Sequence, residues 1–270
     1  MIDRNIIIRV ADFNIGIEFY KETRTYVQNV FTKMFCKKCK NFLIEGKSML
    51  DFTIRIKSTD NIANIIKNEK NRVKKYFYLN FVIDEINRIA YTTYYLSEVQ
   101  LDILIKTVLH EVLRKNNGFF THGSAVYHKN QALIFIGKSG TGKSTIAKML
   151  STNMPILADD IFIIRKIKNI FYFFQTPFLE TNWYYQRTNK KYCISNFIFL
   201  SQGDKNQIKK ENNQSYIYLR LLEQIIFEKK IVTKNQLELL NTLITSCNFY
   251  TLKFNLQRKT VTKIINRFLK

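Results

Sequence analysis

The sequence predicts an α/β fold, a mixed sheet built round a phosphate-binding loop and preceded by a small β-rich part. Three observations predict it. The apolar run Ala132-Leu133-Ile134-Phe135-Ile136 passes into Gly137-Lys138-Ser139-Gly140-Thr141-Gly142-Lys143-Ser144-Thr145 and then into the helix-prone Ile146-Ala147-Lys148-Met149-Leu150, the strand, glycine loop and helix that phosphate binding requires. Short β-branched and aromatic runs dominate the first third, whereas strands and helices alternate after it. With 46% hydrophobic and 14% aromatic residues among 270, the chain can bury a sizeable core.

The elements follow in order. Strands are expected over 5–10, 13–20, 50–57, 76–83 and 88–95, the last two paired across Asp84-Glu85-Ile86-Asn87, which gives a small antiparallel layer. Ser97 fits a helix N-cap with Gln100 as capping-box partner; Leu101, Leu104, Val108 and Val112 share one face, and Gly118 ends the helix. His110 is an ordinary residue of that helix. A strand over 119–127, the turn His128-Lys129-Asn130 and the strand 132–136 form a hairpin feeding the glycine loop. After the loop helix come 155–160, a strand over 161–164, a turn at Lys168-Asn169 and a strand over 170–174. The stretch 175–191, with Trp183, reads as irregular; 193–200 and 249–254 read as strands, and 216–227, 234–245 and 260–269 as helices. With only 8 Gly and 2 Pro and no low-complexity linker, one unit over 96–270 with an N-terminal subdomain over 1–95 is expected.

The net charge of +22, from 43 Lys and Arg against 21 Asp and Glu, raises nucleic acid or an anionic surface as a partner. The lysines are spread among abundant Asn and Ile, no arginine-rich arm stands out, and nucleic-acid binding as the main function is set aside. No apolar run reaches the length of a membrane span and the start does not read as a signal peptide, so a cytoplasmic protein without membrane partners is expected. Of Cys36, Cys39, Cys193 and Cys247, only the first two form a spaced pair. Nearby lysines could lower a thiol pKa there, but with no second such pair they read as reduced, incidental thiols.

The glycine loop alone says only that phosphate binds. Its glycines allow a tight turn with inward N–H groups, the helix N-terminus adds positive charge, Lys143 can reach the outer phosphates of a nucleotide, and Ser144 can offer its hydroxyl to Mg2+. Asp159-Asp160, closely following Lys143 at the end of the next strand, narrows the chemistry. Carboxylates so placed can hold Mg2+ or accept a proton from a hydroxyl, and adjacent strand residues face opposite ways, so the two need not share a task. His122, on the strand entering the hairpin, could orient one of them.

In these residues the chain resembles the C-terminal catalytic domain of HPr kinase/phosphorylase and the shorter HPr-kinase-related proteins, whose nucleotide core is also similar to that of phosphoenolpyruvate carboxykinase. The matching pieces are His122-Gly123-Ser124-Ala125-Val126, the loop from Gly137 to Ser144 and Leu157-Ala158-Asp159-Asp160, followed by Gln175-Thr176-Pro177-Phe178 and Ile198-Phe199-Leu200. The resemblance implies a P-loop kinase core that holds ATP on Gly137 to Thr145. Lys143 would neutralise phosphate charge, Ser144 and Asp160 would bind Mg2+, and Asp159 would act as base with His122 near it. It implies γ-phosphate transfer to a hydroxyl, serine foremost, of a protein, peptide or small molecule, and makes a homo-oligomer an expectation. The family's Glu-x-x-Gly-x-Gly segment after the acid pair has no counterpart here, so neither HPr as substrate nor the reverse phosphorylase reaction is implied. Glu180 stands where it could replace the missing acidic contact. Two alternatives remain: an ATP-binding regulatory or accessory protein without catalysis, and an NTPase acting on nucleic acid.

Overall fold

The computed structural model describes residues 6–46, 48–58, 73–76, 81–84, 89–92, 98–178, 185–204, 206–227, 232–255 and 258–269. The chain divides into two units, Met1–Val108 with Pro177–Leu179, and Leu109–Thr176 with Glu180–Lys270. The boundary expected at 95/96, the cap at Ser97, the turn residues 85–87, Glu180 and Trp183 lie outside the described residues. Mixed α/β architecture is present, with a six-stranded and a ten-stranded sheet and six α-helices among the described residues. No helix among those residues is long and apolar enough to cross a membrane.

The first unit is a mixed sheet rather than the antiparallel layer expected. β1 (Ile6–Val10) and β2 (Phe13–Phe19) form a hairpin whose two turn residues, Ala11 and Asp12, both have positive φ. α1 (Thr25–Lys38), which the sequence reading missed, then carries the chain back, so β3 (Phe52–Ser58) lies parallel to β2. A parallel neighbour needs such a crossover. α1 buries Val27, Phe31 and Phe35, with Phe31 edge-on to Phe19 at 5.4 Å. β4 (Val73–Tyr76), β5 (Phe81–Asp84) and β6 (Ile89–Thr92) complete the order β1-β2-β3-β6-β5-β4; the strand expected over 76–83 is thus two strands, and β5 and β6 pair antiparallel as expected.

α2 (Glu98–Lys115) buries the predicted Leu101, Leu104, Val108 and Val112. The second unit then begins its sheet with β7 (Gly118–His122), β8 (Ser124–His128) and β9 (Gln131–Ile136); Lys129 and Asn130, both at positive φ, close the β8–β9 hairpin. α3 (Lys143–Leu150), β10 (Ile156–Ala158), β11 (Ile161–Ile167), β12 (Ile170–Phe174), β13 (Lys191–Gln202) and β14 (Gln207–Lys210) follow. α4 (Gln214–Leu222), β15 (Ile225–Ile226), α5 (Lys234–Ser246), β16 (Asn248–Phe254) and α6 (Arg258–Phe268) end the chain. Asn213 caps α4 and Thr233 with Gln236 forms a capping box on α5.

Helices cover both faces of the central strands, and this is why β9 and β13 read as continuous apolar runs. Ala132, Ile134 and Ile136 pack with Leu221 of α4 and Leu243 of α5, while Leu133 and Phe135 pack with Ile146 of α3 and Ile265 of α6. β13 lies parallel to both β9 and β16, so the ends of these strands at Ile136, Gln202 and Phe254 gather on one edge. Ligand sites of α/β sheets form at that edge.

The expected single strand over 119–127 is two. β7 and β8 stand far apart in the order β10-β8-β9-β13-β12-β11-β7-β15, yet only Gly123 joins them, so the sheet curls back on itself there. Asp159 and Asp160 make the same crossing from β10 to β11, and the Gly123 N–H donates to the Asp160 carbonyl at 2.8 Å across the seam. A Cβ at Gly123 would sit 2.8 Å from the Phe135 carbonyl and 3.1 Å from the Phe162 ring. Gly123→Ala is therefore expected to destabilise the protein by about 1–3 kcal/mol, read as a lowered urea midpoint; an unchanged midpoint would show that the seam has slack.

The stretch expected to be irregular has a fixed start. Gln175, 2% exposed, donates to the Leu157 carbonyl at 2.6 Å and accepts from the Thr188 N–H at 2.8 Å, while Thr176 donates to the Ile161 carbonyl at 3.1 Å. Gln175→Leu would strand these buried groups and is expected to cost about 1–3 kcal/mol in denaturant unfolding. A neutral outcome would mean that water replaces the amide.

Candidate active site

The loop between β9 and α3 is shaped by its glycines. A Cβ at Gly137 would collide with the Thr141 hydroxyl, which itself donates to the Lys138 carbonyl at 2.8 Å. Gly140 and Gly142 take φ of +79° and +96°, the left-handed region that favours glycine, and a Cβ at Gly142 would meet the Phe254 ring at 2.9 Å. Gly142 is the N-cap of α3. Lys138, Ser139, Gly140 and Thr145 are exposed, and Ser144 is half-buried in the first turn of α3.

Lys143 is only 8% exposed, and its ammonium donates to the Gly137 carbonyl at 2.8 Å and the Lys138 carbonyl at 3.1 Å. Buried Ser124 of β8 donates to the Lys143 carbonyl at 2.9 Å, tying the start of α3 to the seam. Burial pushes the lysine below its ordinary range, while the charges of Asp160 and Asp159 pull it back up. A cation largely removed from water attracts an incoming phosphate oxygen more strongly than an exposed one, and the two carboxylates favour its charged form.

The seam brings His122 to the acid pair through the antiparallel register His122 to Ile161. His122 Nε2 lies 3.0 Å from Asp160 Oδ1, both side chains partly exposed, whereas Asp159 is 8% exposed. The resemblance had put His122 beside Asp159. The contact is with Asp160, which immediately precedes Ile161, the residue of β11 that pairs with His122.

Three residues at this site, Gln224, Glu223 and Gln202, were not found from the sequence. The helix expected over 216–227 ends at Leu222, and the chain turns into β15, which pairs with β7. Gln224, 6% exposed, accepts from the His122 N–H with its carbonyl at 2.8 Å and places its side-chain Oε1 3.3 Å from His122 Nδ1. Glu223 lies 3.7 Å from the Lys138 ammonium and 3.1 Å from Arg220. A glutamine after a helix carries no signal in one sequence; only strand pairing brings it to the histidine. Gln202, at the end of β13, donates to the Gly140 carbonyl at 3.1 Å and holds the outer side of the loop.

The cysteines stand apart from this chemistry. All four are free thiols; burial raises the Cys36 pKa and pushes Cys247 up to about 12, the opposite of the lowering considered for Cys36 from its lysine neighbours. Among the described residues, no group of three or more His, Cys, Asp or Glu side chains is placed to hold a metal ion by itself.

No protein-family model matches the chain, and no curated protein matches it by sequence. Among solved structures, the Hpr(Ser) kinase/phosphatase from Coxiella burnetii aligns over 56% of this chain and 95% of that one, with 8% identity and a TM-score of 0.34. A likeness at that level says nothing about chemistry.

Proposed function

We propose that this chain is an ATP- and Mg2+-dependent kinase of the HPr-kinase-related type, moving the γ-phosphate to a hydroxyl, serine foremost, of a protein, peptide or small molecule. The observation that carries this reading is the meeting at one seam of the glycine loop, the buried Lys143 and a histidine–carboxylate pair. A loop that binds phosphate needs no such pair unless a proton also moves.

The residues fit the ligand. At Gly140 the space beside the backbone is open, with nothing within 4 Å of an added Cβ, and the loop hydroxyl and carboxylates are hard oxygen donors suited to Mg2+. Mg2+ bound with ATP would offset phosphate charge. Lys143 turns its ammonium from the loop carbonyls to the outer phosphates. Ser144 and the more buried Asp159 would hold the metal, and Asp160, accessible and paired with His122, takes the proton of the acceptor hydroxyl. This exchanges the roles that the resemblance gave the two acids. The hydroxyl oxygen forms the new P–O bond, the bond from the γ-phosphorus to the bridging oxygen breaks, and ADP leaves.

The reading is tested by titrating the protein with Mg-ATP and then screening proteins, peptides and free serine for labelled phosphate, with Lys143→Ala as control. ATP binding with Mg2+-dependent labelling is expected. Binding without transfer to any hydroxyl would favour a regulatory nucleotide-binding protein.

A further inference from the structure

Gln224 holds His122 from both its backbone and its side chain. The main-chain bond, at 2.8 Å, continues into the β7–β15 pairing at Thr121 to Ile225, so the residue belongs to the sheet that carries the histidine. Its amide then meets the ring nitrogen that faces away from Asp160. We propose that Gln224 is a positioning residue, which fixes the tautomer and orientation of the neutral His122 ring so that Nε2–H points at Asp160.

The argument is one of donors and acceptors. A neutral imidazole has a single N–H, and an ionised carboxylate can only accept, so the contact with Asp160 requires that hydrogen on Nε2. Nδ1 then carries a lone pair and needs a donor. Gln224 can supply one by presenting its NH2, a half-turn from the orientation with Oε1 towards the ring, and amide oxygen and nitrogen occupy nearly the same volume. A carboxylate at this position could not donate at all, and an aliphatic side chain of similar size would leave Nδ1 unsatisfied in a site that Gln224 itself fills at 6% exposure.

The experiment is long-range nitrogen–proton NMR of the ring of His122 in the full chain, at a pH where the ring is neutral. The chain has only 3 histidines, so a His122→Asn spectrum assigns the signals. Wild type is expected to show a protonated Nε2 and an unprotonated Nδ1. Gln224→Leu should blend the two towards an average, and Gln224→Glu, which like Asp160 can only accept, should bring hydrogen onto Nδ1 as well as Nε2, a doubly protonated ring at a pH where the wild-type ring is neutral. An averaged ring in wild type, or a ring unchanged in either variant that melts like wild type, would overturn the proposal.

The kinetic arm rests on the kinase reading: Gln224→Leu should lower kcat about tenfold with KM for ATP unchanged, as for a residue acting through a general base. Altered NMR with no phosphoryl transfer by wild type would sink that reading and leave the positioning role standing.

Discussion

Lys143→Ala is expected to lower phosphoryl transfer by about 10²–10³-fold, the effect of removing one preorganised charge from a developing transition state. The expectation is large because the ammonium is desolvated, 8% exposed, and already poised among acceptors that a phosphate oxygen would displace. Its bonds to the Gly137 and Lys138 carbonyls also brace the loop, so weaker ATP binding should accompany the slower rate. Phosphate release or transfer assays with a parallel binding titration check this. A variant that still transfers at the wild-type rate would place the phosphate elsewhere.

Asp160→Asn is expected to reduce kcat by about 10²–10⁴-fold, the usual contribution of a positioned general base. The amide is isosteric and retains a partner for His122, so folding and ATP affinity should change little. Asp159→Asn should instead raise the Mg2+ concentration needed for half-maximal rate, since that buried carboxylate is read as facing the metal. His122→Asn should fall between full activity and the Asp160 loss, because it acts through its 3.0 Å contact with Asp160 and not on the acceptor directly. Single-turnover rates at saturating ATP separate these cases. If Asp159→Asn abolished chemistry while Asp160→Asn left it intact, the division between the two acids would be the one implied by the resemblance.

Much of the site's local structure was legible because it is written in consecutive residues. The run from Ala132 to Leu150 fixes strand, loop and helix through apolar periodicity and glycines at positions of positive φ, and the structure has β9 and α3 there. The Lys129-Asn130 turn is legible in the same way, from turn-prone residues between two apolar runs. Pairings between distant segments were not legible. Which aspartate His122 meets depends on the register of β7 against β11, which sets His122 opposite Ile161, next to Asp160. The break at Gly123 was hidden because both flanking runs are apolar; only the curl of the sheet requires a residue without Cβ there. α1 escaped notice because Arg24 provides no side-chain cap and the first turn has no acidic residue, and without its crossover the first sheet reads as antiparallel. Gln224 was lost in a helix drawn too long, since Glu223 to Phe227 is as apolar and helix-compatible as the turn before it, and β15 exists only by pairing with β7.

The central claim is that the loop and the histidine–carboxylate seam act on one phosphoryl group. It is tested most directly by following γ-labelled ATP with wild type and Asp160→Asn side by side, over a pool of hydroxyl-bearing peptides and proteins, in Mg2+ and in chelator. The account predicts that both proteins bind ATP, that wild type labels a hydroxyl acceptor only with Mg2+, and that Asp160→Asn does so at least about 10²-fold more slowly. Equal labelling by the two proteins, or ATP bound by wild type with no hydroxyl labelled, would contradict it.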